Sequence, residues 1–270
     1  MKINQNWQSQ KRGYGKELLF LVSLLGSTSS ALANLPSSST QTMPATLLDS
    51  QNTSAWVVTL SGGPSWISGG ETQTFYLAPE IEKTYTADKP TNTVGEGDLF
   101  LGVQKPLYNK LLGQLGFDFA ATGNAGLSGD IWDDADPEFN NHNYDYDINH
   151  KAFALKGKLL LDMNLPVIPW ISASAGIGFN QASHFTNNST IFQALPNPDF
   201  SDNTTSSFTY TLAVGIQRII TKNWQAGVSY EFADWGKSEL GNAEGQTMGS
   251  GLSLSHLYSN AVLLNITYLA

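Results

Sequence analysis

Cysteine is absent from all 270 residues, which excludes a disulfide framework and any thiolate metal site. Charge is scarce. Asp, Glu, Lys and Arg make up 14 % of the chain, little more than half the roughly 25 % of ordinary soluble domains. Cations are scarcer still, 14 Lys and Arg against 23 Asp and Glu, a balance that disfavours nucleic acid. Outside the N-terminus no apolar run approaches the roughly 20 residues of a membrane-crossing helix. What the chain has instead is 25 Gly, 13 Phe, 10 Tyr and 7 Trp. That mixture suits strands, and leaves two solvents open: an all-β barrel in a membrane or an extracellular sandwich.

The N-terminus has the order of a secretory signal. Lys2, Lys11, Arg12 and Lys16 precede an apolar core at Leu18–Leu25, and Ala31-Leu32-Ala33 fits a small-x-small cleavage site. Residues 1–33 are therefore expected to be a cleaved signal peptide. Its removal leaves ten Lys and Arg against 22 Asp and Glu. Residues 34–54, rich in Ser, Thr, Gln and Pro, read as a flexible polar linker, and residues 55–270 as one β domain.

The last stretch shows the pattern most openly. From Leu257 to Leu269, residues Tyr258, Val262, Leu264, Ile266 and Tyr268 share one face, with Asn260 as a polar exception. Ser259, Ala261, Asn265 and Thr267 share the other, with Leu263 as an apolar exception. The same alternation marks seven earlier stretches: Trp56–Ile67, Gly97–Leu107, Leu111–Thr122, Ile148–Met163, Trp170–Gln181, Ser207–Ile220 and Trp224–Ala233. Connections between them alternate long and short. Pro106–Lys110, Asn164–Pro169 and Thr221–Asn223 are tight turns. Ser68–Gly95, Gly123–Asp147, Ala182–Ser206 and the stretch from Asp234 are long and polar, and Gln73–Thr86 can extend the first two strands beyond a membrane.

An even strand count, alternating connection lengths and a small-residue face opposite the apolar one match an outer-membrane barrel, and a Greek-key sandwich has no cause for them. The expectation is a transmembrane eight-stranded antiparallel up-and-down β-barrel. Both termini and the short turns would face the periplasm and the long segments the cell exterior.

Two stretches resemble a known family. Gly227-Val-Ser-Tyr-Glu-Phe-Ala-Asp-Trp-Gly236 is similar to the penultimate strand, and Ser255–Ala270 to the final strand, of eight-stranded Gram-negative outer-membrane barrels such as the opacity-type surface antigens and the OmpA-like transmembrane domain. That family ends on an aromatic residue, whereas this chain places Tyr268 two residues before Ala270. The resemblance implies a structural or surface-antigen role through long outer loops, with a narrow porin for ions or small solutes as the alternative and a lipid-modifying enzyme as a third. It implies membrane lipid, lipopolysaccharide and the barrel-assembly machinery as partners, together with an extracellular or host ligand for the loops.

Parity places Asp98, Asp118, Lys156, Lys158 and Glu231 inside the barrel, where charges must be paired or hydrated. A salt-bridge network that fills the lumen is the expectation, with an ion path as the alternative. Trp56, Trp170, Trp224 and Tyr268 are expected as interfacial aromatics at the short-turn end, with Phe179, Phe208 and Phe232 at the other. No catalytic residue, metal site or cofactor is expected. His256 and Ser259 stand three apart, on opposite faces of a strand. The acidic run Asp130–Glu138 lacks the order of a calcium loop, and His142, His150 and His184 show no ligand spacing.

Overall fold

A computed structural model describes residues 54–194 and 196–270. The expected signal peptide, and the linker apart from Ser54, lie outside the described residues.

The described residues form thirteen strands: β1 (Ala55–Ser68), β2 (Gln73–Ala78), β3 (Ile81–Tyr85), β4 (Thr91–Tyr108), β5 (Leu111–Thr122), β6 (Ala125–Asp133), β7 (Asn140–Leu161), β8 (Ile168–Ser189), β9 (Asn203–Ile219), β10 (Trp224–Asp234), β11 (Ser238–Glu239), β12 (Ser253–Leu254) and β13 (Tyr258–Leu269). Eight of them close an antiparallel ring in the order β1, β4, β5, β7, β8, β9, β10, β13. The last strand closes onto the first, with Val58 opposite Tyr268 and Ser65 opposite Ala261. The all-β eight-stranded barrel expected from the sequence is the fold observed.

The remaining strands prolong the wall at the long-connection end, here called the outer end. β2 pairs with β3, β3 with β6, and β6 with the first half of β7. β2, β3 and β6 each nearly continue a ring strand, so two long hairpins, β2–β3 and β6–β7, rise from the barrel and pair side by side through β3 and β6. The sequence expectation of strand within Gln73–Thr86 holds. Gly123–Asp147, expected as a loop, is instead mostly β6 and upper β7. Ala182–Ser206 likewise begins as strand, since β8 runs to Ser189. The first tight turn is shorter than expected, because β4 continues to Tyr108 and only Asn109 and Lys110 bend, Asn109 with φ 39°.

The cause of these misplacements lies in β7. A strand needs about 9–11 residues to cross a bilayer, and β7 has 22. From Phe153 to Leu161 its odd residues Phe153, Leu155, Leu159 and Leu161 point outward and are exposed. Above that level the side chains keep their parity and reverse their polarity. His142, Tyr144, Tyr146 and Ile148 point inward and are buried, while Asn143, Asp145 and Lys151 face out. One strand thus meets two solvents, with apolar outside in one half and apolar inside in the other. β8 also meets both, with Ile171, Ile177 and Phe179 outward below and Phe185 inward above, after a bulge at Ser183 and His184 shifts its parity by one.

The outer half consequently has a core of soluble type. Tyr85, Tyr144, Phe185 and Phe200 interlock there, with Tyr85–Phe200 ring centroids 5.3 Å apart and Phe185–Phe200 5.0 Å. Trp235, Leu240, Leu252, Leu254 and Leu257, from the segment between β10 and β13, fold inward over the barrel mouth and complete it. Asn180 fastens this lid. It is fully buried, its amide donates to the carbonyls of Trp235 and Lys237 at 2.8 and 2.7 Å, and its Oδ1 lies 2.6 Å from His150 Nδ1.

Candidate functional site

Inside the ring the side chains form three layers. At the short-turn end Val57, Phe100, Leu112, Leu160, Ile168, Trp170, Ala213 and Leu269 pack into an apolar floor. At the outer end lies the aromatic core just described. Between them sits a polar layer that contains every inward charge expected from the sequence.

Lys156 occupies its centre. Its Nζ lies 3.0 Å from Asp118 Oδ2, 3.5 Å from Glu231 Oε2 and 3.8 Å from Asp98 Oδ2. Each of these side chains is almost completely buried. Strand register accounts for the meeting. Asp98 is opposite Ala120 and Asp118 opposite Ala154, one inward step from Lys156, so the small Ala side chains leave room for the long one. Glycine does the same below, where Gly102 faces Gly116 and Gly116 faces Lys156. Glu96, also buried, shares the inward parity of Asp98 two residues on; that parity was the sequence signal for it.

Lys158 is different. Among the described residues it has no carboxylate within ion-pair distance: Nζ donates to Gln217 Oε1 at 2.8 Å and lies 3.9 Å from the Trp170 ring centroid. This corrects the expectation for Trp170. Its ring is inside, only 6 % exposed, whereas Ile171 faces out, so Trp170 belongs to the floor and not to the interface. Trp170 shares inward parity with Ser172 and Ser174, and parity outweighs the preference of tryptophan for interfaces. Trp56 does stand outside, 70 % exposed, and Trp224 and Tyr268 are also outward, their rings 5.0 Å apart.

Around Lys156 and Lys158 the cavity lined by Asp98, Phe100, Trp170 and Ser172 measures about 20 Å³, room for about one water. The polar layer is packed.

Other sequence candidates fall apart in space. His256 Nδ1 lies 2.9 Å from Asp234 Oδ2 at the barrel rim, and Ser259 is buried with its Oγ accepting from Trp235 Nε1 at 2.9 Å. Asp133 pairs with Lys83 at 2.7 Å, and Asp136 caps the turn Pro137–Phe139 by accepting from Glu138 N. Among the described residues no group of acidic or histidine side chains is arranged to hold a metal ion. His142 and His150 are buried in the outer core; reading Gly123–Asp147 as a loop hid the placement of His142, whereas His150 falls within the expected strand Ile148–Met163 at an inward position.

A closed antiparallel ring with an outward apolar band between Trp56, Trp224 and Tyr268 at one end and Phe179 and Phe208 at the other is a transmembrane β-barrel of outer-membrane type. The sequence matches no family model, and no curated protein registers as a relative. Solved structures with a similar fold include outer-membrane proteins. Neisserial surface protein A is 10 % identical, with 80 % of this chain and 99 % of that one covered and a TM-score of 0.44. The outer membrane protease OmpT of Escherichia coli is 9 % identical, with 80 % and 97 % covered and a TM-score of 0.48. The attachment invasion locus protein Ail of Yersinia pestis is 14 % identical, with 80 % and 99 % covered and a TM-score of 0.37. At such identities no residue role passes to this chain.

Proposed function

We propose that the chain is a non-conducting outer-membrane barrel whose lumen is locked shut and whose outer hairpins are the working surface. The layering of the lumen carries this reading. A pore needs a continuous wet path, and here an apolar floor and an aromatic outer core close both ends of a polar layer packed to about one water. Lys156 ties β7 to three other strands through carboxylates of β4, β5 and β10. The structured part that meets the exterior is the raised rim of β2, β3, β6, upper β7 and upper β8. This favours a structural or surface-antigen role over the narrow porin. A catalytic role lacks support in the geometry around Ser259, whose hydroxyl is buried and engaged.

Single-channel recording of the folded full-length chain in planar bilayers tests the proposal. Silence is expected, together with heat-modifiable migration of the outer-membrane fraction in a gel. Stable, voltage-independent conductance steps would overturn it in favour of the porin.

A further inference from the structure

The outer rim contains a cleft. The tip of the β2–β3 hairpin supplies Leu77, Glu80, Ile81 and Glu82, and the β6–β7 tip supplies Asp134 and Phe139. Residues 193, 194 and 196–198 and the segment 243–246 close the other sides around a cavity of about 510 Å³, within the range of small-ligand sites. The walls are held by the backbone. Thr247 N and Met248 N donate to the Leu77 carbonyl at 2.9 and 3.1 Å, and Thr190 N donates to Asn141 O at 2.7 Å.

The cleft lining is part apolar and part acidic. Leu77 and Ala243 are buried in its wall, with Ile81, Phe139, Pro196 and Pro198 beside them. Five carboxylates line it against a single ammonium, Lys83, which is already taken by Asp133. That leaves Glu80, Glu82, Asp134 and Glu244, and among the described residues none of the four is within ion-pair distance of a cationic side chain. They come from three different segments, so negative charge surrounds an apolar seat on several sides. Hairpin geometry fixes two of them: Glu80 (φ 66°) and Asp134 (φ 52°) sit in left-handed turns at the hairpin tips. Asn197 adds an amide to the wall, in contact with the Tyr85 hydroxyl behind it.

We infer that this cleft is a binding site for a short cationic peptide segment, one apolar side chain seated between flanking basic residues. The apolar wall takes the central side chain, and the four unpaired carboxylates take the cations from different sides. Apolar contact without charge would not select this rim, and a purely polar polycation would leave the apolar wall unused. The inference rests on the outer end being the working surface.

The test uses the folded full-length chain in detergent micelles and acetyl-Arg-Leu-Arg amide as the probe, followed by calorimetric titration. Saturable binding is expected, weakening about tenfold or more between low and 0.5 M salt because exposed charge pairs are screened. The variant Glu80→Gln/Glu82→Gln/Asp134→Asn/Glu244→Gln should lose about tenfold or more in affinity, as several charge contacts vanish together, while its heat-modifiable migration stays normal. Ala194→Trp, which narrows the cleft without touching its charge, should weaken binding too. Absence of saturable binding, equal binding of acetyl-Glu-Leu-Glu amide, or full affinity in the neutralised variant would overturn the inference. Spermidine binding as tightly as the peptide would overturn the apolar seat. Conductance steps bear only on the locked lumen and leave this result untouched.

Discussion

Lys156 donates to Asp118 at 3.0 Å in the middle of the barrel, and among the described residues it is the one ammonium within ion-pair distance of Asp98, Asp118 and Glu231. Removing it strands three buried carboxylates. Breaking a buried pair from one side costs about 3–5 kcal/mol, so Lys156→Met should lower stability by that order in urea unfolding from lipid vesicles. Lys158→Met should cost less, because Lys158 pairs with an amide and an indole face and leaves no orphaned charge. Asp118→Asn should recover part of the Lys156→Met loss. Equal losses for the two lysine variants would refute the central place of Lys156.

Outward glycines and inward glycines should respond oppositely to a methyl group. Gly157 faces lipid beside Ala173, forming a shallow groove between Leu115, Leu159, Ile171 and Leu212, and a Cβ added there meets nothing within 4 Å. Gly157→Ala should therefore raise stability by about 0.5–1 kcal/mol, the usual cost of glycine in a regular element. Gly116 is inside, where a Cβ would lie 2.1 Å from the Leu101 carbonyl oxygen. Gly116→Ala should cost about 1–3 kcal/mol through overpacking. Unfolding midpoints of the two variants give the comparison directly.

The barrel half of the chain was legible in the sequence because one rule covers it: apolar out, small or polar in. The rule located all eight ring strands, the inward lysines and the closing pair of first and last strands. It failed where the solvent changed. Tyr144, Tyr146 and Ile148 obey strict alternation, but the apolar face is now the inner one and the outer face carries Asn143 and Asp145. Without lipid contact that pattern reads as a polar loop. Trp170 failed for the opposite reason, since residue type was weighed above the parity that its neighbours Ile171 and Ser172 fix. The tip cleft joins segments more than 150 residues apart, Leu77 and Ala243 among them, and no local pattern announces it.

The outer core should reveal itself at both extremes of pH. Burial pushes the Tyr85 hydroxyl up from its ordinary 10.0 to about 12, the Asn197 contact works in the other direction and Asp133 adds to the rise. Burial raises Tyr144 and Tyr146 as well. A folded-state value above the unfolded one means that the stabilisation is complete below pH 10.0 and is lost as the pH climbs through the folded-state value. Absorbance at 295 nm should therefore show a late tyrosine phase, coincident with loss of the near-ultraviolet circular dichroism of the outer core. On the acid side, burial alone would raise the Asp133 carboxyl, but hydrogen bonds from Lys83 and Asn141 and the Lys83 charge hold it below its ordinary 3.8. Its contribution is complete above pH 3.8 and is lost as pH falls through the lower folded-state value. Lys83→Met should move the Asp133 carboxyl midpoint upward in a carbon NMR titration; an unmoved midpoint would contradict the pairing.

Asn260 interrupts the apolar face of β13, and Tyr230 explains how the face tolerates it. The Tyr230 hydroxyl donates to Asn260 Oδ1 at 2.5 Å across the β10–β13 pair, where Tyr230 stands opposite Val262, one outward step from Asn260. A polar side chain at a lipid-facing position is costly when it is left unmatched. Tyr230→Phe keeps the ring and removes the donor, which should cost about 1 kcal/mol. Asn260→Leu removes the acceptor and adds apolar surface for lipid, so it should be neutral or stabilising. In the Tyr230→Phe/Asn260→Leu double variant nothing polar is stranded, and most of the Tyr230→Phe loss should vanish. Urea unfolding of all four proteins from lipid vesicles yields the coupling energy. A coupling indistinguishable from zero would mean that Asn260 is satisfied by headgroups or water and that the tyrosine is at that position for its ring alone.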